Sequence, residues 1–450
     1  MKEFFLEDFG GKNDGVFNNV NAFAMAFMEI SRNGGGKLTL KKGNYLTGPI
    51  DIPSNTTLFL EEGCELSFVT EPTCYPPVYT RWEGVECFAM HPLIFSRNTK
   101  NVSITGKGTL NGNGEPWWAL AHAKRNDQME PVEPYEKLLA SMNPDHKNQP
   151  GGGGGRESQF LRPSFVEFSN CENVTIEGIK IINSPFWTVH PLYVNNLTLK
   201  DLYIENPYEA PNTDGIDIDS CQNVKILNCF VSVGDDGICL KSGSGPDGIR
   251  CNVPTKNVLI KNCTVRFAHG GLVVGSETAA GIFNVTAEDC DLDSTDRGIR
   301  IKSRRGRGGA LEGIHLKNIS MNNTLCPLSI NMFYSCGEYD PSSPLFSLEK
   351  QPVTKETPTL KDVSIIGVKA QNCRASAGLI ACLPEVPVEN LLIQDCEFST
   401  DEKNEASPMQ SDMFFGLPEI TEKSFRILNA PDAVFKNVKV SGPKEPFIFR

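Results

Sequence analysis

Short runs of alternating apolar and polar residues recur along most of this chain, and most of the runs follow an asparagine or an aspartate. Such alternation predicts β-strands with one face in a core. The runs return at a spacing of roughly 20 to 35 residues, which predicts a solenoid with one coil per repeat. Asparagine suits the turn before each strand, because it tolerates left-handed backbone angles. The pattern therefore predicts an all-β protein, a parallel β-helix.

The amino-terminal segment shows a different period. Apolar residues between Asn19 and Ser31 recur at helical spacing, and we expect Asn19 to cap the helix. Residues 1–36 are predicted to close the open end of the solenoid. Two long interruptions, residues 113–162 and 336–359, are expected to be loop insertions flanking a cleft. Because a solenoid adds coils without a new core, residues 1–450 are predicted to form a single domain.

Charge and cysteine content narrow the functional classes. The formal net charge of −12 argues against nucleic acid or an anionic membrane as the general partner. The first residues lack the pattern of a secretion signal, so a cytoplasmic location is expected, unless a signal has been removed from the sequence. Four of the 15 cysteines follow a strand-initiating asparagine by the same interval, which predicts one buried thiol per coil. These four are Cys229, Cys263, Cys290 and Cys396.

Four polar clusters occur at roughly the spacing of one coil. They are Asn212-Thr213-Asp214-Gly215, Gly234-Asp235-Asp236-Gly237, His269-Gly270-Gly271 and Arg297-Gly298-Ile299-Arg300-Ile301-Lys302. Since neighbouring strands lie about 4.8 Å apart, the carboxylates of Asp214, Asp235 and Asp236 are expected to crowd together. Crowded carboxylates do not ionise equally, so one keeps its proton and another serves as a base. Glycoside hydrolysis needs that pair of roles.

The remaining clusters suggest a substrate and an alternative. His269 is predicted to orient the acidic aspartate, and Arg300 and Lys302 are expected to share one strand face, where they suit a carboxylate-bearing sugar. Another interpretation is a calcium site built from carboxylates, Asp217 and Asp219 included. Two cations in the same cleft would repel that ion, so no metal and no other cofactor are predicted.

Together these clusters resemble the signature of glycoside hydrolase family 28, the polygalacturonases. The flanking segments Asn183 to Trp187, Gly275 to Glu277 and Arg304 to Gly309 resemble members of that family too. The resemblance implies a right-handed parallel β-helix that hydrolyses α-1,4 bonds between galacturonic acid units with inversion. It also implies Asp235 as general acid, Asp214 and Asp236 around the attacking water, and His269 beside the acid.

The substrate-binding residues expected here fall into two groups. The resemblance implies Arg300 and Lys302 at the galacturonate carboxylate, with Asn212 in the same motif and Tyr334 where the family has a substrate-binding tyrosine. His190, Arg162 and Lys241 are predicted on position alone. The long insertion over residues 113–162 favours a closed cleft and therefore exo action on oligogalacturonides. A pectic oligosaccharide or polysaccharide is thus the expected partner.

Three alternatives stay open at this point. The first is a related hydrolase acting on rhamnogalacturonan or another uronic-acid glycan, because the basic pair does not exclude a mixed backbone. The second is a calcium-dependent pectate lyase. The third is a non-catalytic β-helix that only binds glycans.

Overall fold

The computed structural model describes residues 1–126, 131–145, 162–338 and 340–449, with the backbone alone for 124–126. The described chain falls into two compact units. Unit 1 extends to Asp235 without residues 83–85, and unit 2 comprises those three residues and the chain from Asp236 onwards. The prediction of a single domain stays a prediction.

Unit 1 is built of parallel strands in three ladders. Ladder A consists of Ile50–Asp51, Ile94–Arg97, Val166–Ser169, Val189–Leu192 and Ile216–Asp219. The second ladder consists of Glu3–Phe5, Gly36–Leu40, Thr56–Leu60, Lys100–Gly106, Glu172–Glu177, Asn195–Lys200 and Gln222–Leu227. The third consists of Asp14–Asn18, Gly43–Thr47, Cys64–Phe68, Thr109–Asn111, Lys180–Ile182, Tyr203–Glu205 and Phe230–Ser232. The chain also forms strands at Pro77–Trp82 and Val85–Met90.

Unit 2 repeats this arrangement. Ladder B consists of Asp236–Lys241, Gly270–Val274, Arg297–Lys302, Cys326–Asn331, Gly378–Ala381, Phe425–Leu428 and Phe447–Phe449. The other strands of unit 2 are Thr255–Lys261, Thr264–Arg266, Ile282–Asp293, Ala310–Asn322, Thr359–Ile366, Lys369–Cys373, Glu389–Thr400 and Val434–Ser441. Parallel pairing of successive coils throughout both units confirms the predicted all-β solenoid.

Asparagine turns keep the coils in register. Asn101, Asn173 and Asn196 have φ angles of 56°, 58° and 64°, as expected for left-handed turns. Their side chains form a ladder: the Asn173 Nδ2 donates to the Asn101 Oδ1 at 2.9 Å, and the Asn196 Nδ2 to the Asn173 Oδ1 at 3.0 Å. Each turn thereby satisfies polar groups that a stack of strands would otherwise leave unpaired.

Stacked apolar residues form the core inside the coils. In unit 1, Leu58, Ile104, Ile176, Leu199 and Ile226 follow one another in register, and none of them is exposed. Burying one such side chain contributes about 1.5–3 kcal/mol, so a stack of five is a large stabilising term. The four predicted cysteines are buried in the same way, which confirms one small thiol in each of those coils.

The amino-terminal helix covers Val20–Arg32, close to the predicted bounds. Its buried face contains Phe23, Phe27 and Ile30, as expected. The predicted side-chain cap is wrong: the Asn19 Oδ1 accepts from the Lys12 amide at 2.7 Å instead of from the helix. The Asn19 Nδ2 donates to the carbonyl oxygens of Lys12, Phe17 and Leu46. Those three acceptors tie the loop before the helix to the strand Gly43–Thr47.

In its described part, the insertion at residues 113–162 forms the helices Glu115–Asn126 and Pro134–Met142. Trp117 is buried against the Tyr75 ring, and the Trp118 Nε1 donates to the Ser184 carbonyl at 2.8 Å. The insertion's glycine run, Gly151 to Gly155, lies outside the described residues.

The second insertion, at residues 336–359, contains a 3-10 helix over Pro344–Phe346. Elsewhere in the described residues, 3-10 helices cover Leu6–Phe9, Pro72–Cys74 and Pro408–Ser411, and an α-helix covers Gly245–Cys251. Among the described helices, none combines the length and apolarity needed to cross a membrane.

Candidate active site

Asp214 and Asp235 come together within unit 1. Asn212 has a left-handed φ of 55°, which turns the chain just before Asp214. The Thr213 Oγ1 then accepts a hydrogen bond from the Gly234 amide at 3.2 Å. Gly234 must be a glycine, because a Cβ there would lie 2.3 Å from the Ala210 carbonyl oxygen. This contact fixes the residue before Asp235, and carboxylate oxygens of Asp214 and Asp235 lie within 4.8 Å of one another.

The two carboxylates differ in their access to solvent. Asp214 is only 3% exposed, whereas Asp235 is half-buried. A group that donates a proton to a substrate oxygen has to reach that oxygen, so the more open Asp235 is the better placed of the two.

Asp236 is the first residue of ladder B, and two cations in unit 2 hold its carboxylate. The Arg300 Nη1 lies 2.9 Å from the Asp236 Oδ1, and the Lys302 Nζ lies 2.5 Å from the Oδ2. All three side chains are nearly inaccessible to solvent. Ile301, between the two cations, points into the core and is 1% exposed, as its alternation with them predicts. Charge-assisted hydrogen bonds of this kind keep Asp236 ionised.

Tyr334 packs against both cations. The Arg300 guanidinium lies 5.2 Å from its ring centre and the Lys302 Nζ lies 5.0 Å from it. Burial raises the pKa of Tyr334 to about 12. The side chain therefore stays a neutral phenol, which keeps a hydroxyl group beside the two cations.

Gly270 makes room for this cluster. It pairs with Asp236 on one side and with Arg297 on the other. A Cβ at this position would lie 2.7 Å from the Asp236 Oδ1 and 3.1 Å from the Arg300 Cδ. His269 immediately precedes it, is half-buried, and accepts a hydrogen bond on its carbonyl oxygen from the Arg297 amide.

Glu277 forms a second buried charge cluster in unit 2. Its Oε2 lies 3.2 Å from the Lys241 Nζ, and its Oε1 lies 3.1 Å from the Arg307 Nη1. Burial alone would raise the pKa of Glu277. The positive charges of Lys241, Arg307 and Lys302 outweigh this effect and lower the pKa to about 2. The predicted binding residue Lys241 is thus already paired with a carboxylate, and its contact with substrate stays a prediction.

Arg162 and His190 lie in unit 1 with protein partners of their own. The Arg162 guanidinium donates to the Pro211 carbonyl at 2.6 Å and to the Asn212 Oδ1 at 2.8 Å, so it supports the turn before Asp214. His190 is completely buried, and its ring nitrogens face Glu167 at 3.2 Å and Asp219 at 3.7 Å. Such burial does not favour direct contact with a sugar.

Burial lowers the pKa of His190, but the Asp219 and Glu167 carboxylates more than offset this and raise it to about 9. The Arg81 Nη1 also binds the Asp219 Oδ1, at 2.7 Å. These cations do not favour the calcium interpretation for Asp219, and Arg300 and Lys302 do not favour it for Asp236.

Sequence reasoning missed three features around the Asp236 cluster: the steric role of Gly270, the contact of Met413 and the distant partners of Arg297. Gly270 was noted only as part of a motif, and its steric role depends on a neighbouring strand. Met413 places its Sδ 3.0 Å from the Arg300 Nη2, although it lies 113 residues further along the chain. Arg297 donates to the carbonyl oxygens of Gln410 and Ser411 on that same segment. A local sequence pattern does not predict contacts between residues that are more than 100 positions apart.

The model of the Glycosyl hydrolases family 28 matches residues 149–411, which is more than half of the chain. The chain therefore belongs to glycoside hydrolase family 28, as its motifs predicted, and its fold is the right-handed parallel β-helix. Among its relatives, a probable polygalacturonase from Vitis vinifera is 32% identical over 70% of this chain. An exo-poly-alpha-D-galacturonosidase from Dickeya chrysanthemi is 28% identical over 71% of it.

The alignments cover 60% and 55% of those two relatives, so the chain spans less than two thirds of their length. A solved structure corresponds more completely. The exopolygalacturonase from Thermotoga maritima is 32% identical and has a TM-score of 0.76, and the match covers 89% of this chain and 88% of that one.

Proposed function

We propose that this protein hydrolyses α-1,4 bonds between galacturonic acid units of pectin-derived galacturonan, and that it removes sugars from chain ends. One observation carries the proposal: Asp236 follows Asp235 directly in the chain and is held by two cations. The site therefore combines the carboxylates that glycoside hydrolysis needs with positive charge for a uronic acid. Membership of family 28 supports the same reaction.

In this mechanism Asp235 is the general acid. It protonates the glycosidic oxygen, so that the bond from the anomeric carbon to that oxygen breaks and the shortened chain leaves as an alcohol. Asp214 and Asp236 hold a water molecule, which attacks the anomeric carbon while one of these carboxylates accepts its proton. The ionised state of Asp236 suits the role of acceptor, because a carboxylate that has lost its proton is the competent base.

Arg300 and Lys302 bring two positive charges against the single negative charge of Asp236. The excess charge favours a substrate carboxylate, and the planar arginine fork suits that group. Tyr334, pressed against both cations, is expected to orient them and to offer its hydroxyl group to the sugar. The overall net charge of −12 supports a local site of this kind over a general polyanion surface.

Exo action is supported by the similarity to the Thermotoga maritima exopolygalacturonase. The insertion at residues 113–162 also supports exo action, because an open endo-type groove does not need its two helices. Trp117 and Trp118 anchor the first of these helices.

Asp235→Asn tests the assignment, with Asp432→Asn as a matched control on an exposed turn. We expect the first variant to lose turnover of polygalacturonate, to keep binding of short oligomers, and to unfold at the wild-type temperature. We expect the control to behave as wild type. Unchanged turnover by Asp235→Asn would contradict the mechanism.

Sizing the products over time separates exo from endo action, because monomer alone from the outset means exo and a ladder of oligomers means endo. Activity that survives a chelator and yields no unsaturated, ultraviolet-absorbing product excludes the lyase. Faster cleavage of rhamnogalacturonan than of polygalacturonate would favour the related hydrolase instead.

A further inference from the structure

A row of positive charge continues beyond the Asp236 cluster. Arg300, Lys302 and Arg304 occupy alternate positions in the sequence, and Arg304 follows the strand Arg297–Lys302 by two residues. Within the strand, which advances about 3.3 Å per residue, the Arg300 and Lys302 side chains lie roughly 7 Å apart. The Tyr334 amide donates to the Ser303 carbonyl at 3.0 Å, so the residue just before Arg304 is bonded to the tyrosine whose ring contacts the first two cations. Arg304 therefore belongs to the surroundings of the proposed substrate site.

Arg304 differs from its neighbours in its lack of a carboxylate partner. It is 8% exposed, and its one hydrogen bond among the described residues runs from Nη1 to the Arg305 carbonyl at 3.3 Å. The Arg304 Nε is fully buried, and no acceptor for it lies among the described residues. Burial lowers the pKa of Arg304 to about 10, with a further contribution from Arg307. Glu338 acts on its charge from a distance, without an ion pair within the described ranges.

The two arginines that follow show what a structural role looks like in this segment. Arg305 binds Glu385 through Nε at 2.6 Å and through Nη2 at 2.8 Å. Arg307 binds Glu277 at 3.1 Å. A buried guanidinium without such a partner is costly, because it has lost water without regaining an anion. Its free donors are suited to a planar, bidentate anion such as a carboxylate.

We propose that Arg304 binds the carboxylate of a second uronic acid unit, next to the one that Arg300 and Lys302 hold. This inference rests on the proposed function, since a galacturonan chain carries a carboxylate on every sugar. Arg304 is then a specificity-determining residue: it selects substrates with two successive free carboxylates. Esterification of the second sugar removes the negative charge that Arg304 recognises.

The test compares binding of digalacturonate with that of its two mono-methyl esters, by calorimetry. Asp235→Asn serves as the parent, so that bound ligand is not cleaved. Arg304→Gln is introduced in that parent, and Arg32→Gln, whose side chain is 69% exposed, is the matched control. Arg304→Gln is expected to weaken digalacturonate binding about ten- to hundredfold, the usual effect of losing a charge-assisted hydrogen bond.

The esters separate recognition from a general structural effect. One of the two esters lacks the carboxylate that Arg304 recognises. The parent should bind this ester about as weakly as the Arg304→Gln variant binds digalacturonate. The affinity for this ester should fall little further in the variant. Equal losses for digalacturonate and both esters would overturn the proposal, because they would mean that the variant only disturbs the site. Unchanged binding of digalacturonate would overturn it as well. If wild type neither binds nor cleaves galacturonates, the proposed function itself fails, which is a separate result.

Discussion

A methyl group at Gly270 would collide with the Asp236 cluster. The added Cβ would lie 2.7 Å from the Asp236 Oδ1 and 2.5 Å from the Val273 Cγ2. Non-bonded heavy atoms settle at about 3.5 Å, so the Asp236 oxygen has to retreat by roughly 0.8 Å. Because Gly270 is outside the left-handed φ region, the backbone itself accepts alanine. The damage should therefore fall on the position of Asp236 and on its 2.9 Å bond to Arg300.

Gly270→Ala is expected to lower kcat/KM about a hundredfold, since a displacement near 1 Å commonly has that effect. Overpacking should lower the free energy of unfolding by about 1–3 kcal/mol. Initial rates of reducing-end release from polygalacturonate measure the first quantity, and urea unfolding measures the second. Gly48→Ala is the control, because its Cβ would meet Val20 at an ordinary 3.6 Å. A Gly270→Ala enzyme within about twofold of wild type would refute the steric argument.

Three further predictions follow from the buried charges and from the chemistry. Glu277→Gln leaves two buried cations without their carboxylate and should lower the free energy of unfolding by about 3–5 kcal/mol in urea titrations. The pKa of His190 is raised from its usual 6.5 to about 9, so its contribution to stability is complete below pH 6.5 and is lost as the pH rises through 9. Wild type should therefore show a falling unfolding temperature over that range, and His190→Gln a flatter profile. Hydrolysis with inversion should give the β anomer first, as seen by proton magnetic resonance within the first minutes of reaction.

Each of these has a control or a contrary outcome. Glu62→Gln changes an exposed carboxylate and should leave stability almost unchanged; an equal loss in both glutamate variants contradicts the buried-charge argument. His315→Gln, on an exposed strand face, should retain the wild-type pH profile, and a flattened profile there would remove the special role of His190. Carboxylates as close as Asp214 and Asp235 also occur in retaining enzymes, so an α anomer as first product would mean double displacement.

The coils were readable from the sequence because each repeats one local rule: an asparagine with a positive φ, then alternating residues. Val102 and Ile104 illustrate it, since both are buried while Ser103 between them is not. The same alternation correctly placed Arg300 and Lys302 on one face, because a strand period of two needs no knowledge of neighbours. Local pattern is therefore sufficient for strands and for side chains that belong to them.

The contacts that the sequence did not reveal have a common cause, which is competition between partners distant in sequence. Asn19 was expected to cap the helix, but its Oδ1 accepts from the Lys12 amide and its Nδ2 donates to the Leu46 carbonyl, 27 residues away. Lys241 and His190 are paired with Glu277 and Glu167, which no local pattern indicates, and their contact with substrate stays a prediction. The contact of Met413 with Arg300 spans 113 residues. Propensity and spacing carry no information about such choices.

The asparagine ladder has a consequence for how such a chain can change its length. The Asn223 side chain donates to that of Asn195, 28 residues earlier, and the Asn284 side chain donates to that of Asn257, 27 residues earlier. Each turn therefore needs only an amide or carboxylate side chain in the neighbouring turn. A duplicated segment of one coil would bring its own donor and its own acceptor with it. The solenoid can thus gain or lose a whole coil by recombination while every turn keeps its hydrogen bonds. Residues on either side of such an insertion would move apart by one strand spacing.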